Sequence, residues 1–377
     1  MGKTRYFDPA RGPASFRFVE WWAVPLLNWT GIEIVSEGIE NIESEIEKYH
    51  TFERSKAHSD GLFLAANHLS FTDHFVIMKE IHDKIVEGRM SPQEILGQVI
   101  AAVAKEKYYT FPFFGHVLQW GKQIPVTNTY WEFEKIWKSS SSKVKTKFLK
   151  DHLSEEERKA FTGNPRQLFE SVYLKALDHD PQKPEESLIR KVQENTRASL
   201  IHTAQNTGVC IREGKPILIY PEGTRSTTGK IRPVKTGVTQ LIFEYNGRVV
   251  PTAIMDTDKL FHKSQHWTHL FKILDDFLVR KRADPISLRV RYGKPISLPE
   301  IFEYCRKDFK SKEKHANLHA VDELEEMTRV RIFKAWEEDY DRFQPIFELA
   351  TTHIMTESNK MLSSEYRADR IEVKYSK

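Results

Sequence analysis

Short apolar runs alternate with stretches of helical period along most of this 377-residue chain. Gly61-Leu62-Phe63-Leu64-Ala65-Ala66, Val99 to Ala104 and Pro216-Ile217-Leu218-Ile219-Tyr220 are continuous and bounded, as strands buried on both faces are. Ile32 to Val35, Ile124-Pro125-Val126, Arg248 to Met255 and the alternating Ile286 to Tyr292 add further strands. Between them, Asp73 to Ile85 places Phe75, Val76, Ile77, Ile81 and Ile85 at helical spacing. Arg166 to Leu177, Leu188 to Ala204 and Val238 to Tyr245 also read as helix, and residues 41–58 as a polar helix or linker. Residues 315–365 read as amphipathic helix, with no Gly or Pro from 316 to 343. Strands alternating with helices predict an α/β fold: a largely parallel central sheet flanked by helices.

Three regions depart from that alternation. Residues 1–58 begin with an aromatic segment that includes Phe16, Phe18, Trp21, Trp22 and Trp29. It reads as an amphipathic helix that lies at a membrane interface or else is buried. Residues 59–300 form the main domain, interrupted at about 129–206 by a Lys-, Glu- and Ser-rich helical insertion with a mobile Ser/Lys-rich part around Ser139 to Ser142. Residues 301–377 form a C-terminal helical extension.

Composition narrows the class. With 40% hydrophobic and 29% charged residues, the chain is suited to a folded core rather than disorder. The formal net charge of +4 is too small to imply a polyanionic partner, so basicity is a local question. Cys210 and Cys305 make neither a disulfide framework nor a thiolate metal cluster and fit a reducing compartment. The most apolar stretch, Phe16 to Trp29, is too short to span a bilayer and is interrupted by Arg17, Glu20 and Pro25. It does not read as a signal peptide either, and Tyr at position 6 breaks the myristoylation pattern at Gly2.

Candidate chemistry lies in two segments, each after a buried strand. In Asn67-His68-Leu69-Ser70-Phe71-Thr72-Asp73, His68 ends the strand and Asp73 falls in the first turn of the next helix. A continuous helix would rotate the two side chains about 140° apart, whereas a strand-to-helix junction lets the imidazole fold back onto the carboxylate. The carboxylate would then hold one ring nitrogen and leave the other to take a proton from a hydroxyl. The alternatives are a capping Asp beside a packing His, and a metal site using His74, which would need more ligands. In Tyr220-Pro221-Glu222-Gly223-Thr224-Arg225-Ser226, Gly223 permits close backbone approach and Arg225 offers a guanidinium for phosphate, with Lys235 near the next helix. The plain alternative is a surface turn with a Glu–Arg ion pair. Neither a Gly-x-Ser-x-Gly elbow nor a P-loop occurs.

Together the two segments resemble the first and third signatures of the glycerolipid acyltransferases, the family of glycerol-3-phosphate and lysophosphatidic acid acyltransferases. Tyr220 stands where that family usually has Phe. Val250-Pro251-Thr252-Ala253-Ile254 resembles the fourth signature, and Lys105-Glu106 followed by Pro112-Phe113-Phe114-Gly115 the approach to the second. The likeness covers residues 61–128 and 207–300. It implies O-acyl transfer from acyl-CoA or acyl carrier protein to a hydroxyl of a glycerol phosphate or lysophospholipid, in phospholipid biosynthesis or remodelling. His68 is then the general base and Asp73 its orienter. Glu222, Gly223, Thr224, Arg225, Lys235, Lys105 and Pro251 bind substrate or shape its site. No metal or prosthetic group is implied. One departure concerns the acceptor: Gly121 to Asn128, where the family usually carries an arginine, has none. Either Lys122 or another base replaces it, or the acceptor is held differently.

A lipid product also implies a membrane surface, with the protein placed in the cytoplasm at the inner face. Residues 259–294 hold nine Lys or Arg and three Asp or Glu among interleaved aromatics. That pattern suits anionic lipid, a solvated helix or, less well, nucleic acid, which is not expected as a partner. Two other functions compete: an inactive membrane-binding protein on an acyltransferase scaffold, and a metal-dependent phosphohydrolase built on Asp73 and His74.

Overall fold

The computed structural model describes residues 33–53, 60–70, 73–81, 101–105, 124–173, 187–212, 214–259, 287–335 and 342–374. The aromatic segment at 16–30, the approach to the second signature at 106–123 and most of the basic stretch, 260–286, lie outside the described residues. The chain divides into two compact units, one of Met1–Val103, His116–Ile124 and Ala204–Lys377, the other of Ala104–Gly115 and Pro125–Thr203.

Among the described residues, seven strands form the sheet: β1 (Glu33–Glu37), β2 (Leu62–Ala66), β3 (Ala101–Lys105), β4 (Ile124–Val126), β5 (Ile217–Ile219), β6 (Arg248–Met255) and β7 (Ser287–Tyr292). Their order is β1-β7-β6-β2-β5-β3-β4. β2 is parallel to both β5 and β6, β3 to β5 and β1 to β7, while β6 and β7 are antiparallel. The sheet is therefore mixed and mostly parallel, as the alternation of elements predicts.

In the first unit, the two-residue period of a strand divides the core. Phe63 and Ala65 of β2, with Val249, Ala253 and Met255 of β6, face one apolar cluster. Leu62, Leu64 and Ala66, with Val250 and Ile254, face the other. Helix α1 (Ile39–Glu53) sends Ile42 and Ile46 into the second cluster, and α2 (Asp73–Ile81) sends Val76, Ile77 and Ile81.

The second unit has a core of its own. Its helices are α3 (Thr129–Ser139), α4 (Ser142–His152), α5 (Glu155–Ala160), α6 (Pro165–Leu168) and α7 (Ser187–Arg212), the last passing into the first unit at Ala204. Phe133, Trp137, Phe148 and Leu168 pack together there. The serine run joins two helices by their caps. Ser140 caps the end of α3, its N–H donating to the carbonyls of Ile136 and Trp137, and Ser141 caps the start of α4. The helical period from Arg166 passes from α6 into a π-helical turn at Phe169–Tyr173, and its remainder to Leu177 lies outside the described residues.

The remaining helices, α8 (Gly237–Glu244), α9 (Leu298–Ser311), α10 (His315–Arg329) and α11 (Gln344–Met361), belong to the first unit. They cover the face of Phe63 through Val238, Phe302, Leu324 and Phe347. The helix expected over residues 315–365 is broken in two. Arg331 takes a left-handed φ of 58°, and the N–H groups of Ile332 and Phe333 both donate to Met327 O. The turn is a helix C-cap made without glycine. Phe333 and Phe343, which follow the turn, are both buried in the core.

Candidate active site

Strands β6, β2 and β5 are neighbours and run the same way, so their carboxyl ends open onto one edge. That edge is where open α/β sheets bind ligands. Three loops leave it there: Asn67–Ser70 after β2, Tyr220–Ser226 after β5 and Asp256–Thr257 after β6.

His68 and Asp73 meet as the strand-to-helix junction requires. His68 Nδ1 lies 2.8 Å from Asp73 Oδ2. Asp73 is fully buried, whereas the His68 side chain keeps 18% of its surface exposed. The same Oδ2 accepts the backbone N–H groups of Leu69 at 2.8 Å and Ser70 at 2.9 Å. The bond from Ser70 is the reach-back of a capping box. Oδ1 accepts the Thr257 hydroxyl at 2.5 Å. A carboxylate oxygen can only accept, so Nδ1 must carry the hydrogen of that contact and Nε2 is left with a free lone pair. One face of the imidazole stacks on Tyr220, with ring centroids 4.1 Å apart and 19° between the planes. Among the described residues the buried Tyr220 hydroxyl has no hydrogen-bond partner, and burial, with the nearby Asp73 charge, raises its pKa well above the usual value. His74, next along, is held neutral: burial and the neighbouring His68 lower its pKa to about 4, outweighing Asp73.

Glu222 ties the second segment to the first. Its Oε1 accepts His68 N–H at 2.7 Å and its Oε2 accepts Arg232 N–H at 2.8 Å. A further bond, Ser226 N–H to His68 O at 2.6 Å, closes the loop pair. Glu222 is 2% exposed, and burial pushes its pKa up to about 8 against the two backbone donors. It is therefore not the partner of Arg225 in a surface ion pair. Gly223 has φ 63°, a conformation that favours glycine. A Cβ there would sit 3.6–3.8 Å from the end of the Lys235 side chain, so that side chain lies over the turn. Among the described residues, the Arg225 guanidinium has no hydrogen-bond or ion-pair partner.

Residues 181–255 match the family model described as Acyltransferase. Over that stretch the chain is similar to the acyltransferases. The match takes in Glu222 to Arg225, Lys235 and Pro251, and stops short of His68 and Asp73, which reach the same place through the parallel pairing of β2 with β5 and β6. No curated protein matches the chain. Among solved structures, the 1-acyl-sn-glycerophosphate (LPA) acyltransferase PlsC from Thermotoga maritima aligns with 82% of this chain and 79% of its own, at 15% identity and a TM-score of 0.35. That likeness is too slight to argue from.

The other residues expected of an acyltransferase site are scattered. Thr224 is half-buried within the turn. Pro251 is buried in mid-ladder opposite Ala65, its carbonyl accepting Gly293 N–H at 2.8 Å, and lies on none of the three loops. Lys105 ends β3 and belongs to the second unit. In the basic stretch, Lys259 and Arg289 are paired with Asp256, and Arg291 with Glu37, so these three cations are engaged within the fold. Among the described residues no helix is long and apolar enough to cross a membrane.

Sequence reading missed Thr257, the roles of Asn67 and Tyr220, and the C-terminal segment. Thr257 carries no motif and is 184 positions from Asp73. Only the adjacency of β6 and β2 makes it a partner. Residues 372–374 return to the site loop, where Glu372 O accepts Val234 N–H and Lys374 N–H donates to Val234 O, both at 2.8 Å.

Proposed function

We propose that this chain is an O-acyltransferase that moves a fatty acyl group from acyl-CoA or acyl carrier protein to a hydroxyl of a glycerol phosphate or lysophospholipid. The observation that carries the reading is the His68–Asp73 contact at 2.8 Å, with no partner on the opposite ring nitrogen among the described residues and the ring partly open to solvent. His68 Nε2 takes the proton of the acceptor hydroxyl as its oxygen attacks the thioester carbonyl carbon. A C–O bond forms, the tetrahedral intermediate collapses, and the C–S bond breaks. His68 returns the proton to the departing thiolate, so the products are an ester and a free thiol. Asp73 holds the ring through Nδ1 and favours the imidazolium that forms in between. The reaction balances with no metal or prosthetic group. Gly223, Arg225 and Lys235 bind the acceptor side, and Glu222 positions the loop. A long-chain product must leave into a bilayer, which makes the cytoplasmic face of a membrane the natural place of work.

Release of free thiol from acyl-CoA, with glycerol 3-phosphate or lysophospholipid as acceptor, tests the reading. Removing a positioned general base typically costs about 10²–10⁴-fold, and His68→Ala should lose that much in kcat. Asp73→Asn should lose activity by another route. Its amide offers Nδ1 an N–H, driving the ring proton to Nε2 and leaving no base. Full activity in His68→Ala would sink the mechanism. A wild-type protein that binds liposomes but releases no thiol with any acceptor would point to an inactive membrane binder instead.

A further inference from the structure

The loop between β5 and α8 gathers positive charge that the fold leaves unneutralised. Lys235 lies over Gly223, as the 3.8 Å from its Nζ to a Cβ position there shows. The C-terminal segment brings a second lysine to it. Val373 forms a parallel bridge with Val234, flanked by the two hydrogen bonds through Glu372 O and Lys374 N. Lys235 and Lys374 are the next residues on the two paired strands and so stand side by side. The arrangement is anchored upstream as well, where the Tyr366 ring lies 3.5 Å from the position a Cβ on Gly229 would occupy.

Like charges placed opposite each other across a strand pair are destabilising. Here nothing offsets them. Among the described residues, the side chains of Lys235, Lys374 and Arg225 have no acidic partner. The carboxylates close in sequence are engaged elsewhere: Glu222 with the His68 and Arg232 amides, Glu372 with Arg370. Desolvation, and then repulsion from Lys374, lower the pKa of Lys235. The same loop is tied to His68 through Glu222 Oε1 and Ser226 N–H, so an anion held there would be fixed relative to the imidazole.

We propose that Lys374, delivered by the C-terminal segment, acts with Lys235 to bind a phosphate group of one of the two substrates. A phosphate monoester carries nearly two negative charges at neutral pH, which matches a pair of ammonium groups better than a single carboxylate does. Residues 363–374 thereby complete the substrate site rather than merely end the chain. Which substrate supplies the phosphate rests on the acyl-transfer reading. That a phosphate binds there does not.

The first test needs no activity. Thermal unfolding of the full chain is followed with inorganic phosphate, against chloride at matched ionic strength. Phosphate should raise the Tm of wild type and of Lys310→Gln, the same charge change on α9. It should raise that of Lys235→Gln and Lys374→Gln much less, while Lys374→Arg keeps the response. An undiminished response in Lys374→Gln, or none in wild type, overturns the proposal. The second test separates the sources. Loss of one exposed ion pair is worth about fivefold, so Lys374→Gln should raise KM about that much for one substrate only. A raised KM for the phosphate-bearing acceptor assigns the site to that acceptor. A raised KM for acyl-CoA, absent with acyl-pantetheine, assigns it to the nucleotide phosphates of the donor. If wild type turns over and neither KM moves, the proposal is lost. If wild type never releases thiol but binds phosphate through Lys374, the acyltransferase reading fails and the anion site stands.

Discussion

Glu222 carries out its structural work in a poor place for a charge. Two backbone N–H groups point at its carboxyl and favour the ionised form, yet burial dominates and its pKa rises from 4.5 to about 8. Between those values the folded protein holds this proton and the unfolded chain does not. The stability Glu222 contributes is thus complete below about pH 4.5 and is lost as pH rises through about 8. His74 works the other way. Its pKa is lowered from 6.5 to about 4, so its contribution is present above pH 6.5 and is lost as pH falls through about 4. Comparing wild type with Glu222→Gln at each pH cancels the share of His74. Glutamine cannot ionise, and its amide can accept only one of the two backbone hydrogens. The stability of wild type relative to Glu222→Gln, from urea midpoints, should therefore fall steadily between about pH 5 and about pH 8.5. A difference that stays flat over that range would mean that Glu222 is ionised throughout.

At the scale of elements, Asn67 shows how the site is attached to the sheet. Strand β2 ends at Ala66, but the Asn67 side chain continues its ladder. Nδ2 donates to Ile254 O at 2.9 Å, and Ile254 N–H donates to Oδ1 at 2.7 Å. The amide stands in for a backbone pair, which frees the main chain to turn and present His68. Asn67→Ala would leave a buried N–H and a buried C=O on β6 without partners, at a cost of about 2–4 kcal/mol. Urea denaturation should show that loss, and kcat should fall with it because the base is no longer held; unchanged stability would mean the ladder does not need the side chain. This arrangement also marks what could be read from the chain. Leu62 to Ala66 and Ile217 to Ile219 were legible because an interior parallel strand is apolar on both faces. His68 with Asp73 was legible because a buried strand before them and a helical period after them imply a junction that can bring the two together. Thr257 was not, since its partner lies on a strand that sequence order does not identify as a neighbour. Helix α9 falls almost wholly within the helical extension expected from residue 301, and its start at Leu298 is marked locally by a capping box, Ser297 with Glu300, and by Pro299 in its first turn. The break at Arg331 was hidden because a non-glycine left-handed residue leaves no compositional trace.

For the molecule as a whole, the division into two units makes a claim about cooperativity that the site does not. The aromatic cluster of Phe133, Trp137, Phe148 and Phe169 draws only on residues of the second unit, whereas Asp73, Thr257, Glu222 and His68 all belong to the first. Each unit therefore has its own source of hydrophobic stabilisation, and contiguous units of that kind commonly open separately. Phe133 is fully buried and touches three other aromatic rings, at centroid distances of 5.7–6.3 Å. Phe133→Ala should cost the second unit about 3–5 kcal/mol, through lost burial and the cavity left behind. Hydrogen exchange read by peptide gives that loss an address. Amides of α3 and α4 should lose protection in the variant, while those of β2, β5 and β6 keep theirs. Loss of protection spread equally over both sets would show that the chain unfolds as a single cooperative body. The C-terminal bridge at Val373 should stay protected along with the β strands, because it pairs with Val234 and shares the core that holds the site.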